Sequence, residues 1–459
     1  MRTLPILLLA LSLVRASAAE PRVSQEQALA RIAAEAMKDE KAYRNLEFLC
    51  DRIGNRLAGS KGLRAAVAWS QSLLKAEGFR NVRAEKVMVP HWERLTERAE
   101  LVEPVQTALS VLGLGGSAAT PAGGIEAPVL CVGGLGALEG LPSEAVKGRI
   151  VLFTGPWTGY GPYANVRVHG ASVAARKGAV AMLLKAFAPA TLDTPHTGVL
   201  HYDAGAPAIP AAGLSVEGAG WLERLSAAGL TPRLRLVLAS RVHPDAESAN
   251  VIGEIPGSER PEEIVVIGGH LDSWDVGQGA QDDGVGCVLS LHAAELLQRI
   301  GLRPRRTLRV VLFTNEENGS RGGQAYLDAH RAELPSHIAA IESDIGNGLI
   351  QGFSLDVGGL KPAGEARQAA ALKHLQALAP KLAHLGAARF DRGGSGVDIG
   401  PMVAAGVPGL GARHDLTKYW DIHHTAADTF DKIDKQDLRK NLAILASLLY
   451  LLGEAPDRP

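Results

Sequence analysis

The chain has 459 residues, of which 46% are hydrophobic, and its 48 Lys and Arg residues nearly balance its 49 Asp and Glu residues. This length is ample for a large buried core and predicts two or three domains. The charge balance argues against a nucleic-acid partner, because there is no basic excess to neutralise phosphates.

The first residues, MRTLPILLLALSLVRASAAE, have the pattern of an export signal. Arg2 supplies the positive start, residues 4–14 form an apolar segment, and small residues follow near Ala18 and Ala19. A membrane anchor or a buried helix is the alternative, but the apolar segment is too short to span a bilayer. We expect residues 1–19 to be a signal peptide and the mature protein to be secreted or periplasmic. No later apolar run is long enough to predict a membrane span.

The segment from residue 20 to residue 108 begins with helical patterns. Residues 24–38 and 62–77 have helical apolar spacing, and the alternation in RNVRAEKVMVPHWER predicts a strand. The cysteines of the chain are Cys50, Cys131 and Cys287. An odd, scattered set does not form a disulfide framework, so we expect buried free thiols, with a single bridge as the alternative.

Residues 109–245, which we call the middle block, differ in composition from the segments on either side. A Gly-, Ala- and Pro-rich stretch marks its start, GRIVLFTG predicts a buried strand, and ASVAARKGAVAMLLKAF predicts a helix followed by a strand. A further strand and helix are predicted in APAIPAAGLSVEGAGWLERL. The block therefore reads as a compact unit of short strands and helices.

From residue 246 the chain alternates apolar strands with helices. ANVIGEIPG, EIVVIGGH, TLRVVLFTNEE and HIAAIESD predict strands, and residues 284–299, GGQAYLDAHRAEL and DLRKNLAILASLLYLLG predict helices. Continuous apolar strands separated by helices predict an α/β fold with a mostly parallel sheet flanked by helices.

Polar residues collect where these strands end, which is where open α/β sheets place their sites. The residues concerned are His270, Asp272, Asp282, Asp283, Glu316, Glu317, Asp344, His423 and His424. The neighbouring carboxylates of Asp282 and Asp283 repel each other, and a bound cation would offset that cost. The mixed imidazole and carboxylate set suits zinc, with manganese or cobalt as alternatives, and is large enough for two ions that share a carboxylate.

The acidic pair Glu316 and Glu317 indicates hydrolysis. Neighbouring residues cannot easily bind the same ion, so one can bind metal while the other accepts a proton from a metal-activated water. Asp272 follows His270 by two positions and is well placed to accept the other ring N–H of that histidine. Each piece alone also fits a surface turn or a helix cap, whereas the whole set at strand ends favours a site. No HExxH, GxSxG or GxxxxGK[ST] motif is present.

The segments GGHLDSW, GAQDDGVG, TNEENGSRGG, ESD and HHTAADT, in this order, resemble the co-catalytic zinc exopeptidases, which include leucyl aminopeptidases and glutamate carboxypeptidases. DRIGNRLAGSKG and GGSGVDIGPM resemble the carboxypeptidase Q branch of that family. The resemblance implies a zinc-exopeptidase catalytic domain in two parts, residues 20–108 and 246–459, interrupted by a protease-associated domain at 109–245. It also implies a homodimer.

The resemblance further implies a role for each polar residue. Asp282 bridges two zinc ions and shares a cis peptide bond with Asp283. The other metal ligands are His270, Asp344, Glu317 and His424. Glu316 is then the catalytic base, and Asp272 supports His270. His423 stands where some relatives place an oxyanion-stabilising tyrosine, and an exchange of roles between His423 and His424 stays open.

These residues predict a secreted dizinc exopeptidase that hydrolyses short peptides as a dipeptidase or aminopeptidase. A carboxypeptidase acting on N-blocked or glutamate-type substrates and a non-catalytic peptide-binding protein are the alternatives. Ser395 and Asp398, in a Gly-rich segment, are predicted to line the substrate pocket, or else form a plain loop. Arg389, Arg392 and Arg413 lie near the same loops and are candidates for binding an anionic group or for solvated surface.

Overall fold

The computed structural model describes residues 23–187, 192–358 and 362–456, so the predicted signal peptide at 1–19 lies outside the described residues. The helices within these ranges are α1 Gln25–Ala36, α2 Lys41–Phe48, α3 Lys61–Ala76, α4 Leu135–Glu139, α5 Ser143–Val146, α6 Tyr160–Arg176, α7 Val216–Ala227, α8 Val285–Arg299, α9 Arg321–His330, α10 Pro362–Gln376, α11 Ala379–Leu382, α12 Gly400–Ala404 and α13 Lys435–Glu454. None of these described helices is long and apolar enough to cross a membrane.

The strands over the same ranges are β1 Arg80–Glu103, β2 Thr107–Leu109, β3 Val111–Gly113, β4 Ile125–Val132, β5 Ile150–Phe153, β6 Ala181–Lys185, β7 Ala211–Leu214, β8 Arg233–Ile255, β9 Arg260–His270, β10 Arg306–Phe313, β11 His337–Glu342, β12 Ile350–Asp356, β13 Arg389–Arg392 and β14 Gly409–His414. The strands and helices predicted from apolar periodicity are all present, several with shifted ends. Helices α2, α4, α5 and α10 to α12 and strands β2 to β4 and β12 to β14 were not predicted.

The central sheet is mostly parallel, as predicted. Its order is β13-β12-β14-β11-β9-β10-β8, and β9 runs parallel to both β10 and β11. Strands β13, β12 and β8 run opposite to the other four, because β12 pairs antiparallel with β14, β13 pairs parallel with β12, and β8 pairs antiparallel with β10. The β-branched residues of β9 and β10 suit strands that are buried on both faces.

Helices cover both faces of this sheet. On one face, α8 and α13 pack together and bury almost their whole length, from Val285 to Leu297 and from Asn441 to Gly453. On the other face, Tyr326 of α9 and Met402 of α12 pack against Val311 of β10. The carboxyl ends of β9, β10 and β11 therefore meet at one edge of a well-covered sheet.

Two long strands connect this sheet to the middle block. Strands β1 and β8 pair antiparallel along almost their whole length, and β8 also pairs with β10 near one end and β4 near the other. Residues along β1 pack in two different hydrophobic cores. Val89 packs in the core of the central sheet, and Leu101 packs in a core of the middle block. At a register shift of this ribbon, Arg94 binds both carboxylate oxygens of Asp275, at 2.9 and 3.0 Å.

The middle block extends the sheet with β4, β5, β6 and β7, which run parallel in that order, and β3 pairs antiparallel with β7. Separate apolar clusters cover its two faces. All three cysteines are free thiols, as expected; Cys50 and Cys287 are buried, and Cys131 is partly exposed.

Candidate metal centre

The fold brings the predicted polar residues together at one edge of the central sheet. His270 ends β9, Glu316 and Glu317 follow β10, and Asp344 follows β11. Asp282 comes from the tight turn at Ala280–Gly284 that leads into α8. His423 and His424 come from the segment after β14, so five segments of the chain build the cluster.

The first group of side chains surrounds Nε2 of His270. This atom lies 3.0 Å from Oδ1 of Asp282 and 3.2 Å from Oδ1 of Asp344. His270 is buried and about one-fifth of the Asp344 side chain is exposed, so the group opens to solvent on the Asp344 side. One imidazole nitrogen and two carboxylate oxygens lie within 4.8 Å of one another, close enough to bind one ion.

The second group surrounds the other oxygen of Asp282. Oδ2 of Asp282 lies 3.2 Å from Nε2 of His424 and 3.5 Å from Nε2 of His423. Nε2 of His424 is also 3.1 Å from Oε2 of Glu317, and the two imidazole rings stack at 3.6 Å. Asp282 therefore presents one oxygen to each group, and His424 is the histidine that contacts both Asp282 and Glu317.

Asp272 supports the cluster through different atoms from those predicted. The ring nitrogen Nδ1 of His270 bonds the backbone carbonyl of Asp272 at 2.9 Å, while the nearest carboxylate oxygen of Asp272 is 3.9 Å away. That carboxylate instead accepts the backbone N–H groups of Glu316, at 3.0 Å, and Glu317, at 3.2 Å. The chain turns back after His270, so the carbonyl rather than the carboxylate reaches the ring, and the carboxylate positions the Glu316–Glu317 turn.

Asp283 and Asp428 hold the turn that carries Asp282. The peptide bond between Asp282 and Asp283 is cis, as expected. The buried carboxylate of Asp283 accepts the N–H groups of His270, at 3.1 Å, and Gly286, at 2.9 Å. Asp428 was not singled out from the sequence, yet its carboxylate accepts the N–H groups of Gln281, at 2.7 Å, and Asp282, at 3.2 Å.

Arg56 is a second residue that sequence reasoning did not single out. It is fully buried and donates hydrogen bonds to the carbonyls of Leu271 at 2.7 Å, Gln278 at 2.7 Å and Gly279 at 2.8 Å. These carbonyls belong to the loop between β9 and the Asp282 turn. The segment DRIGNRLAGSKG, which carried part of the family resemblance, thus contains the residue that fixes this loop.

Burial and neighbouring charges shift the pKa values of the cluster in opposite directions. Burial, together with the charges of Asp344 and Glu317, raises the pKa of Glu316 well above its usual range. Burial and the nearby Asp282 raise the pKa of Glu317 to about 7. Although burial opposes the change, His270 and His424 hold the pKa of Asp282 well below its usual range. Ionised Asp282 thus lies between two histidines, with a more basic carboxylate, that of Glu316, beside it.

The middle block forms one wall of the site through aromatic contacts. Tyr160 stacks on Trp420 at 5.0 Å and meets His423 edge-on at 5.3 Å, and Phe187 lies 5.8 Å from His423. The backbone N–H of Thr197 donates to the carbonyl of His424 at 3.0 Å. Contacts from another part of the chain therefore fix the His423–His424 segment.

A buried cation of the middle block completes this wall. Arg167 donates from Nη1 to the Tyr160 hydroxyl at 3.1 Å and from Nε to the Val199 carbonyl at 3.2 Å. Its charge lies within electrostatic reach of Glu317. Arg167 thus adds positive charge behind a cluster that is rich in carboxylates.

Of the two predicted pocket residues, Ser395 lines a cavity beside Asp344 and Asp398 does not. Asp398 is fully buried, and neither of its carboxylate oxygens has a hydrogen-bond partner among the residues that the structure describes. The cause lies in Glu342, whose carboxylate accepts the N–H groups of Val397 at 3.0 Å and Ile399 at 2.9 Å. These bonds fold the Gly-rich segment over Glu342 and turn Asp398 inward.

Comparison with known proteins places this geometry in a family. Mouse (Mus musculus) carboxypeptidase Q is 39% identical over 414 residues, which cover 90% of this chain and 86% of the mouse protein. Human (Homo sapiens) carboxypeptidase Q is 36% identical over 428 residues, covering 93% and 88%. The profile of peptidase family M28 matches residues 250–449. The chain belongs to peptidase family M28.

Two solved structures share the fold of this chain. The Peptidase M28 precursor from Shewanella amazonensis superposes with a TM-score of 0.89 at 33% identity, over 95% of this chain and 98% of that one. BSAP, a zinc aminopeptidase from Bacillus subtilis, shares the fold with a TM-score of 0.65 at 21% identity, over 91% and 95%. This M28 protein is a zinc-dependent peptide hydrolase. The alternative prediction, a non-catalytic peptide-binding protein, is therefore not supported.

The residues present fit zinc on the chemistry of their donors. In the described part of the chain, Oε1 of Glu317 is buried without a hydrogen-bond partner. A buried carboxylate oxygen without a donor is costly unless a cation satisfies it. Imidazole nitrogens and carboxylate oxygens are the ligands of catalytic zinc sites. The cluster therefore contains the nitrogen and oxygen ligands that zinc prefers. A zinc ion bound there would also satisfy the buried Glu317 oxygen that lacks a hydrogen-bond partner.

Proposed function

We propose that this M28 peptidase is a secreted exopeptidase that uses two zinc ions to hydrolyse short peptides, as a dipeptidase or aminopeptidase. The observation that carries the proposal is the position of Asp282. Its Oδ1 lies 3.0 Å from His270 and its Oδ2 lies 3.2 Å from His424, so one carboxylate faces two sets of ligands. His270 and Asp344 would hold one ion, and Glu317 and His424 would hold the other.

Zinc supplies a Lewis acid that polarises the scissile carbonyl and makes water more acidic. Glu316 accepts the proton of the attacking water and returns it to the leaving amine. Its burial beside Asp344 and Glu317 raises its pKa, which suits a group that must hold that proton and then give it up. Asp272 keeps Glu316 and Glu317 in place through their backbone N–H groups. The ring N–H of His423 would donate a hydrogen bond to the developing oxyanion.

The remaining parts of the proposal concern the whole chain. Residues 109–245 would be a protease-associated domain inserted between catalytic parts 20–108 and 246–459, with Tyr160 and Phe187 facing the site. The pattern of residues 1–19 supports export. The carboxypeptidase Q resemblance supports a homodimer.

The Glu316→Gln variant tests the proposed mechanism. We expect it to bind as much zinc as the wild type and to lose about a thousandfold in kcat, because only the proton acceptor is removed. Zinc content by metal analysis and turnover of an unblocked dipeptide are the two measurements. Glu262→Gln is the matched control, since Glu262 is exposed near the far end of β9. Near-normal turnover in Glu316→Gln would contradict the assignment.

A second experiment separates the exopeptidase classes. Mass spectrometry follows one dipeptide with a free amino terminus and its N-acetylated form, each incubated with the zinc-loaded enzyme. Cleavage of the free form alone is expected. Equal or faster cleavage of the acetylated form would identify a carboxypeptidase that accepts N-blocked substrates.

A further inference from the structure

A cavity of about 500 Å³ opens beside Asp344, one of the proposed zinc ligands. Its walls come from β12, from the Gly-rich segment 393–397 and from the end of β14 and the residues after it; they include Ser354, Ser395, Arg413, His414 and Leu416. Because Asp344 belongs both to the cavity wall and to the first ligand group, the cavity is continuous with the metal centre.

Arg413 brings a positive charge into this cavity. Its Nη2 donates to the Arg392 carbonyl at 3.1 Å, whereas its buried Nε has no hydrogen-bond partner within the described residues. The carboxylate of Asp391 lies 4.0 Å from Nε, a long ion pair, and its closer partner is Arg389. The guanidinium of Arg413 therefore keeps donor capacity for another acceptor.

The other groups in the wall do not compete for this role. His414 donates from Nδ1 to the Gly348 carbonyl at 2.7 Å and lies 3.3 Å from the Ser343 hydroxyl, and burial lowers its pKa to about 4. It is uncharged at neutral pH. The carboxylate of Glu342 is used by the backbone N–H groups of Val397 and Ile399.

The Gly-rich segment makes room for the guanidinium. A Cβ atom at Gly393 would lie 2.8 Å from Nη2 of Arg413, and one at Gly411 would lie 2.9 Å from the Gly394 carbonyl. Side chains at these positions would displace Arg413 or close the cavity. The apolar side chains of Ile345, Val397 and Leu416 also line the cavity and suit an aliphatic stem.

We propose that Arg413 binds a carboxylate of the substrate in this cavity and thereby sets the specificity of the enzyme. This inference rests on the proposed function, because it assigns the peptide that the metal centre hydrolyses. Two sources offer the same chemistry. One is an acidic side chain beside the scissile bond, and the other is the free terminal carboxylate of a dipeptide.

Three substrate pairs distinguish these sources: Glu-Ala against Gln-Ala, Ala-Glu against Ala-Gln, and Ala-Leu against its C-terminal amide. In at least one pair we expect the wild type to favour the carboxylate member in kcat/KM by roughly ten- to a hundredfold, the size of a charge-assisted hydrogen bond. Arg413→Gln should bring that ratio close to one, mainly through KM, and Arg413→Lys should keep part of it.

Arg331→Gln is the matched control, because Arg331 is exposed, pairs with Asp328 and lies outside the cavity wall. It should leave every ratio unchanged. Loss of an acidic side-chain preference in Arg413→Gln identifies the side chain as the ligand, and loss of the acid-over-amide preference identifies the terminus. A wild type without any carboxylate preference, or a preference that survives in Arg413→Gln, overturns the inference. If the zinc-loaded wild type hydrolyses none of the peptides, the proposed function itself fails and the inference falls with it.

Discussion

Replacing Asp272 with Asn tests how the catalytic turn is held. The fully buried carboxylate of Asp272 accepts the N–H groups of Glu316 and Glu317, which are the proposed base and a proposed zinc ligand. Asparagine has almost the same shape but only one acceptor oxygen. Its NH₂ group would then face a backbone N–H, so one hydrogen bond is lost and one buried donor is left unsatisfied.

The size of the effect follows from this loss. A hydrogen bond to a charged group contributes about 1.5–3 kcal/mol, and about 1.4 kcal/mol corresponds to a factor of ten. We therefore expect Asp272→Asn to bind zinc roughly ten- to a hundredfold more weakly and to lose a similar factor in kcat at saturating zinc. The contact of His270 with the Asp272 carbonyl should persist, because the backbone is unchanged.

Zinc affinity is measured by competition with a chelator of known affinity, and kcat is measured with a dipeptide in excess zinc. Asp328→Asn is the control, since Asp328 lies exposed on α9 and pairs with Arg331. If Asp272→Asn binds zinc and turns over substrate like the wild type, its carboxylate does not position the catalytic turn, and the reasoning is wrong.

Two further predictions concern stability. Arg56→Met leaves buried carbonyls of the 271–279 loop without donors and should lower the free energy of unfolding by roughly 3–5 kcal/mol, seen in urea denaturation; a loss under 1 kcal/mol would contradict this. Burial lowers the pKa of His337 to about 4 from 6.5, so the unfolded chain binds more protons between these values, and stability falls as the pH drops through that window. The stability difference between wild type and His337→Gln should therefore shrink from pH 7 to pH 4 by at most about 3 kcal/mol, and a constant difference would refute it.

The sequence predicts the central strands well, because an apolar run of strand length can be recognised from the local sequence alone. The apolar runs of β9, β10 and β11 end in polar residues, and parallel strands place such ends together. Strand β13, with the sequence RFDR, was missed because three of its four residues are charged, and only pairing with β12 defines it. The extension of β1 to Glu103 likewise depends on β8, because Glu103 pairs with Arg233, 130 residues later.

In the site, residue types identified the candidate ligands, whereas the supporting contacts needed the fold. Asp428 holds the backbone of Gln281, 147 residues away in the chain, and nothing in its local sequence indicates that partner. The sequence assigned the contact with His270 to the carboxylate of Asp272, whereas the backbone carbonyl of Asp272 makes it. A spacing of two residues does not distinguish these two groups. Asp398 turns inward because of Glu342, which precedes it by 56 positions.

The ribbon of β1 and β8 has a consequence for how substrate enters and leaves. A hinge rotation that lifted the middle block from the metal centre would have to break the ladder between these strands or bend it at the register shift, where Asp275 holds Arg94. Substrate can then reach the metal centre from the Asp344 side, which is open to solvent, while the middle block stays in place, so no domain motion of microseconds to milliseconds is required. Turnover should accordingly show no slow closing step, and solvent viscosity should affect it only through diffusion of the peptide.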